Sequence, residues 1–95
     1  MTQNKTIGID YTDQRLRVLV EEYIIQQRGT FFLQGVCNYV LYWAMEEGHT
    51  TATCLYEGNQ LCKSDCDKVK TVLDKIISEG RLITTDDGCF LQNKQ

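Results

Sequence analysis

Apolar positions recur along this chain at helical and strand spacings. In "YTDQRLRVLVEEYIIQQRGT", Leu16, Leu19, Val20, Tyr23 and Ile24 follow the i, i+3, i+4 rhythm that places them on one face of an α-helix. Thr12 offers an N-cap oxygen, Asp13 lies where the helix dipole favours an acid, and Gly29 stands where a C′ glycine would end the last turn. The aromatic run Phe31-Phe32-Leu33 reads as a short strand over 30–33. Helical spacing returns from Gly35 to Glu47, with Val36, Tyr39, Val40, Trp43 and Ala44 on one side and Leu41, Tyr42 and Met45 on the other. A helix apolar nearly all round needs cover from its own fold or from a partner.

A third helix starts at Ser64 as N-cap, carries Val69, Val72, Leu73, Ile76 and Ile77 on one face, and is closed by Gly80. Then "RLIT" and "CFLQ" flank "TDDG". Asp87-Gly88 predicts a two-residue hairpin turn of type I′, in which both central residues need positive φ. Between the second and third helices, "GHTTATCLYEGNQLC" (48–62) reads as a small hairpin or an irregular connection. No repeat or linker interrupts 1–95, so a single domain is expected, with polar, flexible ends at 1–10 and 93–95.

The order helix, short strand, helix, connection, helix, hairpin resembles the winged helix-turn-helix arrangement, and the stretch "CDKVKTVLDKIISEGRLITTDDGCFLQ" carries the likeness. The fold it implies is α+β, a small three-helix core with a C-terminal β-hairpin wing. The likeness is architectural, and such an arrangement serves many functions. One departure concerns the join before the third helix: a helix-turn-helix uses three or four residues there, against about fifteen here.

Composition adds bounds. A 95-residue chain with 42% apolar residues supports one modest core. No stretch approaches the roughly 20 apolar residues of a membrane span, and "MTQNKTIGID" lacks the basic start and apolar run of a secretory signal, so a cytoplasmic protein is expected. There the five cysteines should be reduced. Cys54, Cys62, Cys66 and His49 are of zinc-binding type, but only Cys62 and Cys66 approach the spacing of a zinc pair, so no metal or other cofactor is expected. One loop histidine, with no nucleophile motif and no phosphate-binding loop, points away from an enzyme.

Charge decides more. The formal net charge is −3, and its imbalance sits in 29–62, which holds Glu46, Glu47 and Glu57 with no Lys or Arg. A nucleic-acid reader needs basic groups to neutralise phosphates. The candidates are Lys63, Lys68, Lys70, Lys75 and Arg81. Yet the outward face of the third helix holds Asp67 and Asp74 beside Ser64, Thr71, Lys75 and Ser78, and the four lysines of 63–79 are balanced by Asp65, Asp67, Asp74 and Glu79. The tip of the hairpin adds Asp86 and Asp87.

The expected function is therefore a small non-enzymatic regulatory or adaptor module acting through protein contact, with Leu41, Tyr42 and Met45 as its interface toward another protein or a second copy in a homodimer. A DNA-binding winged-helix regulator is the alternative. An inhibitor of the kind made by phages and mobile elements is a third class that the small acidic form fits.

Overall fold

The computed structural model describes residues 6–50 and 60–93. Helices α1 (Asp13–Gln26), α2 (Leu33–Glu47) and α3 (Lys63–Ser78) enclose the core, and a hairpin of β3 (Leu82–Thr84) and β4 (Phe90–Gln92) follows them. The class is α+β, with a three-helix core and a C-terminal antiparallel hairpin. Two further short strands, β1 (Thr6–Ile7) and β2 (Gln60–Leu61), pair in parallel.

Thr12 caps α1 as expected, its Oγ1 accepting from the Arg15 amide at 3.2 Å. Leu16, Leu19, Val20 and Ile24 are buried. The helix stops at Gln26, before Gly29, which has no positive φ and ends nothing. At this end the Gln27 amide donates to the Ile24 carbonyl at 3.0 Å, and the Gln92 side-chain amide, from the hairpin, donates to the carbonyls of Ile24 at 2.8 Å and Gln27 at 2.9 Å.

The strand expected over 30–33 shrinks to one residue. Phe31 forms an antiparallel bridge to Phe90, and α2 has already begun at Leu33. The α1–α2 connection is thereby tied to β4. The buried arc of α2 is also turned from the sequence reading: Val36, Cys37, Val40, Leu41 and Ala44 are buried, while Tyr39 and Trp43 lie at its margin. At about 100° per residue this arc spans about 140°, centred near Ala44, because α2 packs against β2 as well as α1 and α3.

α3 begins two residues earlier than expected, with Cys62 rather than Ser64 at the N-cap. Asp65, in its first turn, is buried, and its Oδ2 accepts from the Cys62 thiol at 2.9 Å and from the backbone amide of Ile9 at 3.0 Å. Negative charge there is favoured by the helix dipole. This contact helps hold residues 6–10, expected to be flexible, against the domain. Ile7 is buried, Cys62 donates its amide to the Ile7 carbonyl at 2.9 Å, and Ile9 bridges to Thr50. The hairpin or loop expected over 48–62 falls mostly outside the described residues; β2, near its end, pairs with β1. Gly80 closes α3 at φ 79° as expected, with the Arg81 amide donating back to Ile76.

The hairpin turn differs in type. Only Gly88 has positive φ, so a type I′ turn on Asp87-Gly88 is not formed. The Gly88 amide donates to the Thr85 carbonyl at 3.0 Å and the Thr85 amide to Cys89 at 2.9 Å, leaving Asp86 and Asp87 at the turn's centre and Gly88 in a bulge. Across the strands, Ile83 faces Leu91 and Thr84 faces Phe90.

Candidate functional site

The outward face of α3 follows the sequence reading. Ser64, Asp67, Thr71, Asp74, Lys75 and Ser78 are all exposed. On the helical wheel Lys63 and Lys70 lie along one edge of that face and Lys68 and Lys75 along the other, with Asp67 and Asp74 between them. Lys68 also lies 3.8 Å from the buried Asp65 carboxylate. The lysines therefore form no continuous stripe.

Arg81, the remaining nucleic-acid candidate, is engaged elsewhere. Its guanidinium lies 2.9 Å from Glu21 and 3.8 Å from Glu79. Arg17 bonds the same two carboxylates, so four charges knit α1, the end of α3 and the start of the hairpin together. Hydrogen bonding from Arg17 holds the Glu79 carboxyl below its ordinary range. Glu21 is also lowered, because bonds from Arg17 and Arg81 outweigh the upward push of its partial burial. The Arg81 charge is thus largely answered before any phosphate approaches.

Between α1 and α3 runs an open groove of about 610 Å³. Val18 and Val72 are its apolar residues, and its charged lining is balanced: Asp13, Glu21 and Asp67 against Arg17, Lys68 and Lys75.

The expected partner face on α2 comes apart. Leu41 is 5% exposed and belongs to the core, on the buried arc of α2. Met45 is half-buried and packs against the same core. Tyr42 alone is open, at 50%, with its ring edge-on to Trp43 at 5.6 Å. Sequence reasoning missed two more exposed side chains, Ile25 at 68% and Phe32 at 63%, and the partly exposed Ile83 of β3. Ile83 and Leu91 are cross-strand partners turned away from the buried Leu82 and Phe90. Phe32 follows the buried Phe31 in extended backbone, at φ −108° and ψ 156°, and so also turns from the core.

His49 is exposed and stacks against Tyr11 at 5.0 Å. Nearby the Tyr11 hydroxyl donates to Glu47, which also pairs with Arg15 at 3.0 Å. These contacts latch α2 to α1. The Cys37 thiol is pushed up to about 12 by burial and by its hydrogen bond with Cys66, a poor setting for a thiolate. Cys37, Cys62, Cys66 and Cys89 are free thiols, and among the described residues no three His, Cys, Asp or Glu side chains gather where a metal could sit. Cys54 lies outside the described residues. No helix among the described residues is long and apolar enough to cross a membrane. No family model, curated protein or solved structure matches the chain.

Proposed function

We propose that this chain is a winged-helix-like module that works by binding another protein, without catalysis, as a small regulatory or adaptor protein. The observation that carries the reading is the charge pattern of α3: the face that a winged helix turns toward DNA has Asp67 and Asp74 between the lysines of its two edges. Phosphate binding needs cations that can approach the backbone together. Exposed apolar side chains at Ile25, Phe32, Tyr42 and Ile83 support protein contact instead.

DNA binding is a second reading, favoured by the helix order and by the Phe31–Phe90 bridge that attaches the hairpin to the α1–α2 connection. An anisotropy titration with labelled random duplex separates the two. No saturable binding is expected over about 1–100 µM at physiological salt, the range of sequence-independent binders. Micromolar binding with a steep salt slope would overturn the proposal.

A further inference from the structure

We propose that the outer face of the hairpin, formed by Phe32, Leu91 and Ile83 beside Asp86 and Asp87, is the docking surface, and that it takes a basic amphipathic segment of another protein. This deepens the protein-binding reading and rests on it. The geometry starts from register. Ile83 lies directly across from Leu91, on the side of the sheet opposite Leu82 and Phe90. Since Phe31 pairs with Phe90, Phe32 falls one step nearer the turn, across from the buried Cys89 and diagonal to Leu91. Phe32 is 63% and Ile83 41% exposed, and Leu91 is half-buried.

Charge supplies the occupant's chemistry. Asp86 and Asp87 occupy the turn next to this face, are exposed, and take part in no ion pair among the described residues. The acids at the hairpin's other end, Glu21 and Glu79, are already answered by Arg17 and Arg81. An apolar row across the strands with two free carboxylates at the turn beside it fits an apolar stripe flanked by Lys or Arg. It repels a phosphate backbone. Size argues against a second copy on this face alone. A stable homodimer needs roughly 800 Å² from each partner. An aromatic side chain supplies roughly 150–250 Å² when wholly buried, and these three are only partly exposed.

The test uses the full chain, labelled with ¹⁵N, and a synthetic amphipathic helix of about 18 residues, five turns, with leucine on one face and lysine on the rest. Amide shifts are expected to concentrate at residues 30–33 and 82–92. Asp86→Asn with Asp87→Asn should weaken binding and flatten its salt dependence, and Phe32→Ser should weaken it at least tenfold with the spectrum still dispersed. A matching leucine–glutamate peptide should not bind. Shifts centred on Tyr42 or the α1–α3 groove would overturn this surface while leaving protein binding standing. Equal binding of both peptides, or of neither, would overturn the chemistry. Line broadening with protein concentration at these residues, without peptide, would assign the face to a second copy. Failure of both peptides together with saturable binding of random duplex would overturn the protein-binding reading as well.

Discussion

Phe31 and Phe90 are joined twice. Their backbones exchange reciprocal hydrogen bonds of 2.9 and 2.8 Å, and their rings stack with centroids 5.6 Å apart. The α1–α2 connection and the last strand thereby become one unit, and Tyr23 packs edge-on to Phe31 at 5.6 Å from the α1 side. Truncating either ring leaves the backbone bonds available but opens the core. Phe31→Ala and Phe90→Ala should each cost about 3–5 kcal/mol by urea unfolding. A double-mutant cycle should return a coupling of about 0.5–1.5 kcal/mol for the stacked pair. Strict additivity would show that the rings only fill space.

Gly35 is required by Tyr23. A Cβ at position 35 would lie 2.4 Å from the Tyr23 hydroxyl oxygen. That ring is held between Phe31 and Tyr39 and has little room to withdraw. Alanine normally gains about 1 kcal/mol over glycine inside a helix, but the clash should reverse the sign and leave Gly35→Ala destabilised by about 1–3 kcal/mol. Tyr23→Phe removes the oxygen, and the next atom in the way, Cζ, is then 3.4 Å off. The pair Tyr23→Phe with Gly35→Ala should therefore recover most of the loss in thermal melts.

Gln92 caps α1 from a distance of 65 or more residues in sequence, through its bonds to Ile24 and Gln27. Gln92→Ala leaves those carbonyls without this donor and should cost about 1–3 kcal/mol. Hydrogen exchange should quicken in the last turn of α1 while its first turn, capped by Thr12, keeps its protection. Uniform quickening along α1 would mean that the global fold, not the cap, had been weakened.

The three helices and the terminal hairpin are legible in the sequence because each helix presents a clear apolar face, and Thr12 and Gly80 act where local chemistry places them. The rest depends on contacts that local pattern does not encode. Gly29 has the look of a terminator, yet α1 ends at Gln26 with Gln27 extended, and a glutamine from β4 bonds the carbonyls there. Leu41 reads as exposed because β2, which packs on α2, is only two residues long and has no strong strand signature. The turn matters most for the proposed surface. A two-residue turn at Asp87-Gly88 would set Ile83 opposite Gln92; the bulge at Gly88 shifts the register by one and sets it opposite Leu91. That slip turns a mixed pair into an apolar one.

Acid should loosen the molecule in a defined window. Glu79 and Glu47 are held low chiefly by hydrogen bonds from Arg17 and Tyr11 respectively, and Glu21 by its two arginines against the pull of burial. Groups lowered by folding contribute stability that is full above the unfolded carboxylate value, roughly 4.3, and is lost as pH falls through the folded values. The urea midpoint should be flat from about pH 7 to 5 and fall between about pH 5 and 3. Because these carboxylates meet solvent, the fall should be modest and shrink in salt. Arg17→Met should make it shallower. An unchanged slope in that variant would mean that the Arg17 pairs contribute nothing.

The strongest check on the electrostatic reading is to install what α3 lacks. Asp67 and Asp74 separate Lys63 and Lys70 from Lys68 and Lys75, and both are exposed, so exchanging them should leave the fold intact. Asp67→Lys with Asp74→Lys replaces two repulsive charges by two attractive ones and joins the lysine edges into one basic face. If acidic residues alone keep this helix from phosphate, the double variant should bind random duplex in the micromolar range. Its affinity should fall with salt at a log–log slope of about −0.9 for each phosphate neutralised. The unmodified chain should show neither. A double variant that stays folded yet ignores DNA would show that the helix is not presented as a winged helix presents it, and the likeness would then fail on geometry rather than on charge.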